Sequence, residues 1–156
     1  MKSGGGEKPL LIGEFEHSLD VKGRLTMPVK LREDVGDKFI LSKGLDGCLF
    51  GFSQSDWNTF EEKLKGLPLV NKNARDFVRF FLSGAIECEL DNAGRVCITS
   101  PLIEYADITK ECVIIGANDR LEVWSKESWD KFLKTNEEEF ENIAENLFNE
   151  GDYDAL

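Results

Sequence analysis

Gly13-Glu14-Phe15-Glu16-His17-Ser18-Leu19-Asp20-Val21-Lys22-Gly23-Arg24 is answered seventy-one positions later by Gly84-Ala85-Ile86-Glu87-Cys88-Glu89-Leu90-Asp91-Asn92-Ala93-Gly94-Arg95. Six of the twelve positions are identical, where ordinary residue usage gives roughly one match by chance. The stretch is therefore one structural unit used twice, and the expected product is a module with pseudo-two-fold symmetry. The correspondence continues in Phe52-Ser53 with Trp57 and in Trp124-Ser125 with Trp129, now seventy-two positions apart. One extra residue is thus expected between the anchors, near Gly36 and Asp37 opposite Asp107 to Thr109, where a surface connection tolerates a length change.

Within each copy the pattern reads as ββαββα. Phe15 to Leu19 alternates apolar with polar, Asp20-Val21-Lys22-Gly23 supplies turn chemistry, and Arg24 to Met27 alternates again, which predicts a β-hairpin. Leu25 and Met27 share one face, so Arg24 and Thr26 point away from the core. Pro28 suits the first turn of a short helix ending at Val35, with Gly36 able to close it in a left-handed cap. Phe39 to Leu41 and Cys48 to Phe52 predict two strands joined by Gly44-Leu45-Asp46-Gly47. Ser53 with Asp56 then opens a helix carrying Trp57, Phe60 and Leu64 on one face.

The fold class expected is α+β: two pseudo-symmetric ββαββα halves forming one mixed, β-barrel-like core with flanking helices. The divisions expected are a flexible leader over residues 1–11, a first half over 12–67, a connecting helix over 68–83, a second half over 84–132, and an acidic C-terminal helix and tail over 133–156. The connecting helix places Ala74, Phe77, Val78 and Phe81 on an apolar face. The last helix carries a stripe of Phe140, Ile143, Ala144, Leu147 and Phe148 that must bury on its own domain or on a neighbouring subunit, and residues 151–156 should fray.

Composition narrows the chemistry. At 156 residues the chain supports one substantial core, and no apolar run approaches the roughly 18 residues of a bilayer span. Cys48, Cys88, Cys97 and Cys112 contain no C-x-x-C pair and His17 is the only histidine, so no metal site is assigned. Each thiol lies in or beside an apolar run and should behave as a small hydrophobe in a reducing, cytoplasmic setting. The net charge of −11 counts against nucleic acid until it is located. Eight of the acids lie between Thr135 and Leu156 with no base among them, leaving −3 on the rest, whereas Lys22 to Lys43 holds six bases against three acids.

A turn that displays an outward arginine, repeated in pseudo-symmetry, suits a duplex. A two-stranded ribbon fits the major groove, and a guanidinium pairs bidentately with guanine or with phosphate. Asp20 and Asp91 stand four positions before Arg24 and Arg95 and either hold each fork for a ligand or simply tie the turn; Gly23 and Gly94 supply its positive φ. The candidate DNA contacts are Arg24, Arg95, Lys22, Lys30 and Arg32. Two aspartates in symmetric halves also pose an acid-dyad alternative. Against it, Asp20 precedes Val-Lys-Gly and Asp91 precedes Asn-Ala-Gly, and a neighbouring arginine favours two ionised carboxylates over a shared proton. No catalytic residue, cofactor or small-molecule substrate is assigned. A scaffold for protein assembly without DNA readout is the alternative function, raised by the three tryptophans, eleven phenylalanines and the acidic amphipathic helix.

These residues resemble the MraZ family of bacterial transcriptional regulators, whose halves are similar to the AbrB-type swapped-hairpin DNA-binding proteins. The resemblance spans about Ile12 to Phe148. It rests on the two Asp-x-x-x-Arg turns, on Gly44-Leu45-Asp46-Gly47-Cys48-Leu49, on Arg75-Asp76-Phe77-Val78-Arg79-Phe80-Phe81-Leu82-Ser83-Gly84-Ala85, and on Glu122-Val123-Trp124-Ser125. It implies a nucleoid-associated repressor of the division and cell-wall gene cluster, a homo-oligomer built as a ring that binds double-stranded DNA at repeated promoter boxes. The second half departs from the family pattern, with Thr99 opposite Pro28 and Ile103 opposite Arg32. The expectation is therefore that the first turn, with Lys22, Lys30 and Arg32 nearby, carries more of the phosphate contact than the second.

Overall fold

The computed structural model describes residues 11–148, so the expectations for the leader before Leu11 and for fraying of 151–156 fall outside the described residues. Contacts divide the chain into two compact units, one ending at Ser125 and one beginning at Lys126.

In the first unit the chain runs β1 (Leu11–Ser18), β2 (Arg24–Thr26), α1 (Val29–Val35), β3 (Lys38–Lys43), β4 (Leu49–Ser53) and α2 (Gln54–Lys65). After α3 (Lys72–Gly84) the pattern repeats as β5 (Ile86–Glu89), β6 (Arg95–Cys97), α4 (Ser100–Tyr105), β7 (Glu111–Asn118) and β8 (Leu121–Ser125). The second unit holds α5 (Lys126–Asn136) and α6 (Phe140–Leu147). The element order is the expected duplication of ββαββα, with helices flanking the strands.

The strand partners differ from those expected. Local alternation predicts that β1 and β2 pair as a hairpin; instead β1 pairs antiparallel with β7, β5 pairs with β3, and β2 pairs with β6. Each half therefore gives its first strand to the other half. The ladders form a six-stranded sheet in the order β1-β7-β8-β4-β3-β5 and a two-stranded ribbon of β2 and β6. Exchanging the halves reverses the six-strand order onto itself, which is the pseudo-two-fold. The axis runs through two directly opposed pairs, Leu25 with Val96 in the ribbon and Phe50 with Glu122 between β4 and β8.

The length change also resolves differently. Lys38 lies opposite Glu89 and Glu111 lies opposite Ser18, which sets β7 seventy-three positions after β3. The pairing of Leu49 with Val123 and Gly51 with Leu121 sets β8 seventy-two after β4. Two residues are thus gained before the third strand and one is lost in the turn that follows it. Gly36 does have a positive φ of 87°, but its ψ of 167° is extended, so it ends α1 without forming a left-handed helical cap.

One core serves both halves. Leu25 and Val96 under the ribbon, Leu31 and Leu102 from the short helices, and Leu41, Ile114, Leu49 and Leu121 from the large sheet are all buried in a single cluster. Truncating one of these leucines to alanine costs about 2–5 kcal/mol, the transfer term plus the cavity it leaves. Ser53 caps α2 as expected, its Oγ accepting from the Asp56 N–H at 3.1 Å. A second cluster joins α2 and α3 to β4 through Phe81, whose ring lies 5.0 Å from Phe60 and 6.2 Å from Phe50. Phe81 is the only fully buried residue of the four expected on the inner face of α3; Phe77 is 37% exposed, and Ala74 and Val78 line a groove instead.

In the second unit, Trp129 stacks on Phe132 with ring centres 5.0 Å apart, and Lys126 pairs with Asp130 one turn on at 2.7 Å. The stripe of α6 stays open: Phe140 and Leu147 are 72% and 73% exposed.

Candidate nucleic-acid interface

The two Asp-x-x-x-Arg turns are built from the same five bonds. In the first, the Asp20 N–H donates to the Arg24 carbonyl (2.9 Å), and the Gly23 N–H returns to the Asp20 carbonyl (3.0 Å). Asp20 Oδ1 accepts from the N–H groups of Lys22 and Arg24, both at 2.9 Å, while Oδ2 accepts from Arg24 Nε at 2.7 Å. In the second, Asp91 and Gly94 close the backbone at 2.9 Å each. Asp91 then receives the N–H groups of Ala93 and Arg95 and the Arg95 Nε, all at 2.9 Å. Gly23 and Gly94 take φ of 78° and 76°, a region open to glycine because no Cβ is present to clash.

The aspartates thus do two jobs, folding the turn through backbone N–H groups and fixing one edge of the guanidinium. Hydrogen bonding from the Arg24 backbone N–H, followed by its side chain, holds the Asp20 carboxyl below its ordinary value, and Arg95 does the same for Asp91. Both carboxylates are committed to their own turns as anions, and among the described residues no hydrogen bond joins them. That geometry is incompatible with a dyad sharing a proton.

Only Nε of each arginine is used by its aspartate. Among the described residues, Nη1 and Nη2 of Arg24 and Arg95 have no partner, and the two side chains are 31% and 33% exposed. In the ribbon Arg24 lies opposite Cys97 and Arg95 opposite Thr26, so all four side chains share the outer face while Leu25 and Val96 lie buried beneath. The arginines are diagonal neighbours, a relation that separates Cα atoms by about 7–8 Å. Cys97 is exposed there, unlike Cys48, Cys88 and Cys112, which are buried as expected.

The remaining candidates separate. Lys22 is exposed in the first turn, beside Val21, and Lys30 is exposed on α1. Arg32 is elsewhere than its place in the sequence implies. Its Nε donates to the Met27 carbonyl at 2.9 Å, and its guanidinium covers Gly94 of the second turn so closely that a Cβ there would collide with it. The pseudo-symmetric place over Gly23 is taken by Ile103, whose Cδ1 lies 3.6 Å from where a Cβ would stand. Each helix of one half therefore lids the turn of the other half. The backbone makes the same exchange: Met27 N–H donates to the Gly94 carbonyl (2.9 Å) and Ile98 N–H to the Gly23 carbonyl (2.8 Å).

Sequence reasoning missed this interlock because Arg32 and Gly94 are 62 residues apart. The one available signal was the joint departure of Ile103 from Arg32 in matched positions. Within each turn the Asp–Arg charges cancel, and one further cation is then added to each: Lys22 in the first turn and Arg32 over the second. Arg32, expected to reinforce the first turn, stands over the second.

Among the described residues no cluster of histidine, cysteine and carboxylate side chains could hold a metal ion, and no helix is long and apolar enough to cross a membrane.

Comparison with known proteins agrees with the duplication. A family model described as "MraZ protein, putative antitoxin-like" matches twice, over residues 10–80 and 81–151. A protein of Caldanaerobacter subterraneus subsp. tengcongensis named transcriptional regulator MraZ is 52% identical over 140 residues, covering 90% of this chain and 98% of its own length. One of the same name from Ligilactobacillus salivarius is 49% identical over 138 residues, covering 88% and 96%.

Proposed function

The chain belongs to the MraZ family of transcriptional regulators, and from that premise we propose that it is a sequence-specific DNA-binding repressor of the division and cell-wall gene cluster. The observation that carries this reading is the pair of guanidinium forks, Arg24 and Arg95, anchored through Nε and open at Nη on one face of a two-stranded ribbon. A ribbon of that width enters a major groove, and its free forks meet guanine O6 and N7 or phosphate oxygens.

Asp20 and Asp91 orient the forks, and Gly23 and Gly94 shape the turns. Lys22 and Lys30 add phosphate contacts from the first half, and Arg32 adds one beside the second turn. The two sheets serve as walls of one barrel-like core that keeps the ribbon rigid. The protein acts in the cytoplasm, associated with the nucleoid. The family is one of regulators, not of enzymes.

An acidic chain of net charge −11 needs help to hold DNA. We infer that it acts as a homo-oligomeric ring whose ribbons engage successive promoter boxes, so that effective concentration replaces net charge. The test is a gel shift with DNA from upstream of the gene itself, comparing repeated with scrambled boxes across a salt series. Affinity should rise steeply with box number and fall with salt. Equal affinity for scrambled boxes would favour the alternative, an assembly scaffold without DNA readout.

A further inference from the structure

The groove between α2 and α3 is apolar at its base and basic at its edge. Leu64, Leu67, Leu69, Ala74 and Val78 line a space of about 420 Å³, and Lys65, Arg75 and Arg79 rim it. Leu69 remains 79% exposed and the adjoining Val70 91%, so the groove continues onto a wider apolar surface of the kind that marks an interaction site. From Glu61 to Arg79 there are five bases and three acids, and Lys65 and Arg79 already meet Glu61, Glu62 and Asp76 in exposed bridges that hold them only weakly.

α6 has the reverse character. Phe140, Ile143, Ala144 and Leu147 stand at the i, i+3, i+4 and i+7 positions of a helical stripe, and the first, second and fourth are exposed. From Glu137 to Glu145 there are five acids and no base. An eight-residue helix is about 12 Å long, and an amphipathic helix of this spacing laid in an apolar groove is a common mode of recognition.

We propose that the α2–α3 groove receives the apolar face of α6 from a second copy of this chain. The partner is fixed by three matches: apolar stripe to apolar base, acidic flank to basic rim, and equal supply of both surfaces on one chain. Groove and helix are different surfaces, so the contact is heterologous and passes from copy to copy until it closes. The inference rests on the oligomeric reading above and names the contact that builds the oligomer.

The experiment uses the full-length chain. Lys65→Glu with Arg79→Glu reverses the rim, and Glu141→Lys with Glu145→Lys reverses the helix; all four positions are exposed. Sedimentation velocity should show each variant falling from the wild-type assembly to one or two protomers, and an equimolar mixture of the two recovering larger species. Phe140→Asp with Leu147→Asp, at exposed positions, should dissociate the assembly while the circular dichroism spectrum stays that of the wild-type fold. Wild-type mass in either charge variant, a folded mixture that stays dissociated, or a monomeric wild type would each overturn the proposal.

DNA binding is read in parallel with single-box and repeated-box probes. Dissociated variants should keep single-box affinity and lose at least ~10-fold of the preference for the array. If the charge variants dissociate and recombine as described while the wild type binds no DNA, the groove contact stands and the regulatory reading falls.

Discussion

Arg24 and Arg95, seventy-one residues apart in the chain, are diagonal neighbours on one face of the β2–β6 ribbon. Neither half could place them so alone, because β2 finds its ladder partner only in β6. Their proximity makes the ribbon, and not the single turn, the unit that meets a ligand. Arg24→Ala and Arg95→Ala should each weaken binding to the promoter boxes by about tenfold to a hundredfold. The two losses should be similar, since each turn has one added cation. Arg→Lys at either position should not restore binding, because a point charge lacks the planar fork. A titration by fluorescence anisotropy checks this, and a loss at Arg24 alone would leave Arg95 without a role in DNA binding.

The carboxylates give a pH dependence. Asp20 and Asp91 have folded pKa values below the ordinary 3.8, with Arg24 and Arg95 as the cause. A depressed pKa stabilises the fold at pH values above the unfolded value, and that contribution is lost as pH falls through the folded one. The turns should therefore be unaffected by pH through the neutral range and weaken only below about pH 4. Asp20→Asn and Asp91→Asn should remove this acid-side decline while lowering the denaturation midpoint at pH 7. Urea melts at pH 3, 5 and 7 measure both effects.

The lids over the turns predict an asymmetry between two matched glycines. Gly23→Ala introduces a Cβ at positive φ, with Ile98 O 3.2 Å away and the flexible Ile103 tip beyond it, and should cost about 1–3 kcal/mol. Gly94→Ala carries the same backbone strain and must also displace the Arg32 guanidinium from its place. It should be the more destabilising of the two in chemical denaturation. Arg32→Ala in the Gly94→Ala background should recover part of the difference, the coupling expected of residues in contact.

The four thiols should react unequally. Burial raises Cys48 and pushes Cys88 and Cys112 up to about 11, so all three are protonated at neutral pH as well as enclosed. Cys97 is exposed on the outer ribbon face directly across from Arg24. One equivalent of an alkylating reagent should be taken up by the native protein, and a bulky adduct at that position should reduce DNA affinity. Cys97→Ser should abolish labelling while binding DNA as the unmodified chain does. Uptake of more than one equivalent by folded protein would contradict the burial of the other three.

Much of this architecture was legible before any coordinates. The repeated Asp-x-x-x-Arg pattern located both turns, the two-residue alternation put Leu25 inward and Arg24 outward, and Ser53 marked the start of α2. Partner choice was not legible. Alternation reports which face of a strand is buried and is silent on which strand lies beside it, so it pairs β1 with its sequence neighbour where the fold pairs it with β7. For the same reason, position in the chain puts Arg32 beside the first turn, whereas the fold puts it over the second. The apolar spacing of α3 is helical, as the structure has it, yet periodicity cannot separate Phe81, sunk among other rings, from Ala74 and Val78, which edge a groove.

The exchange of first strands has a consequence for how the polypeptide matures. Ser18 and Glu111, bonded across β1 and β7, are ninety-three residues apart, and contacts of such separation slow the search for the native state. A nascent chain leaving the ribosome presents β1 and the unpaired margin of β3 long before β7 and β5 exist to meet them. Biogenesis should therefore be held until β7 has been made, with chaperone dependence greatest in that interval.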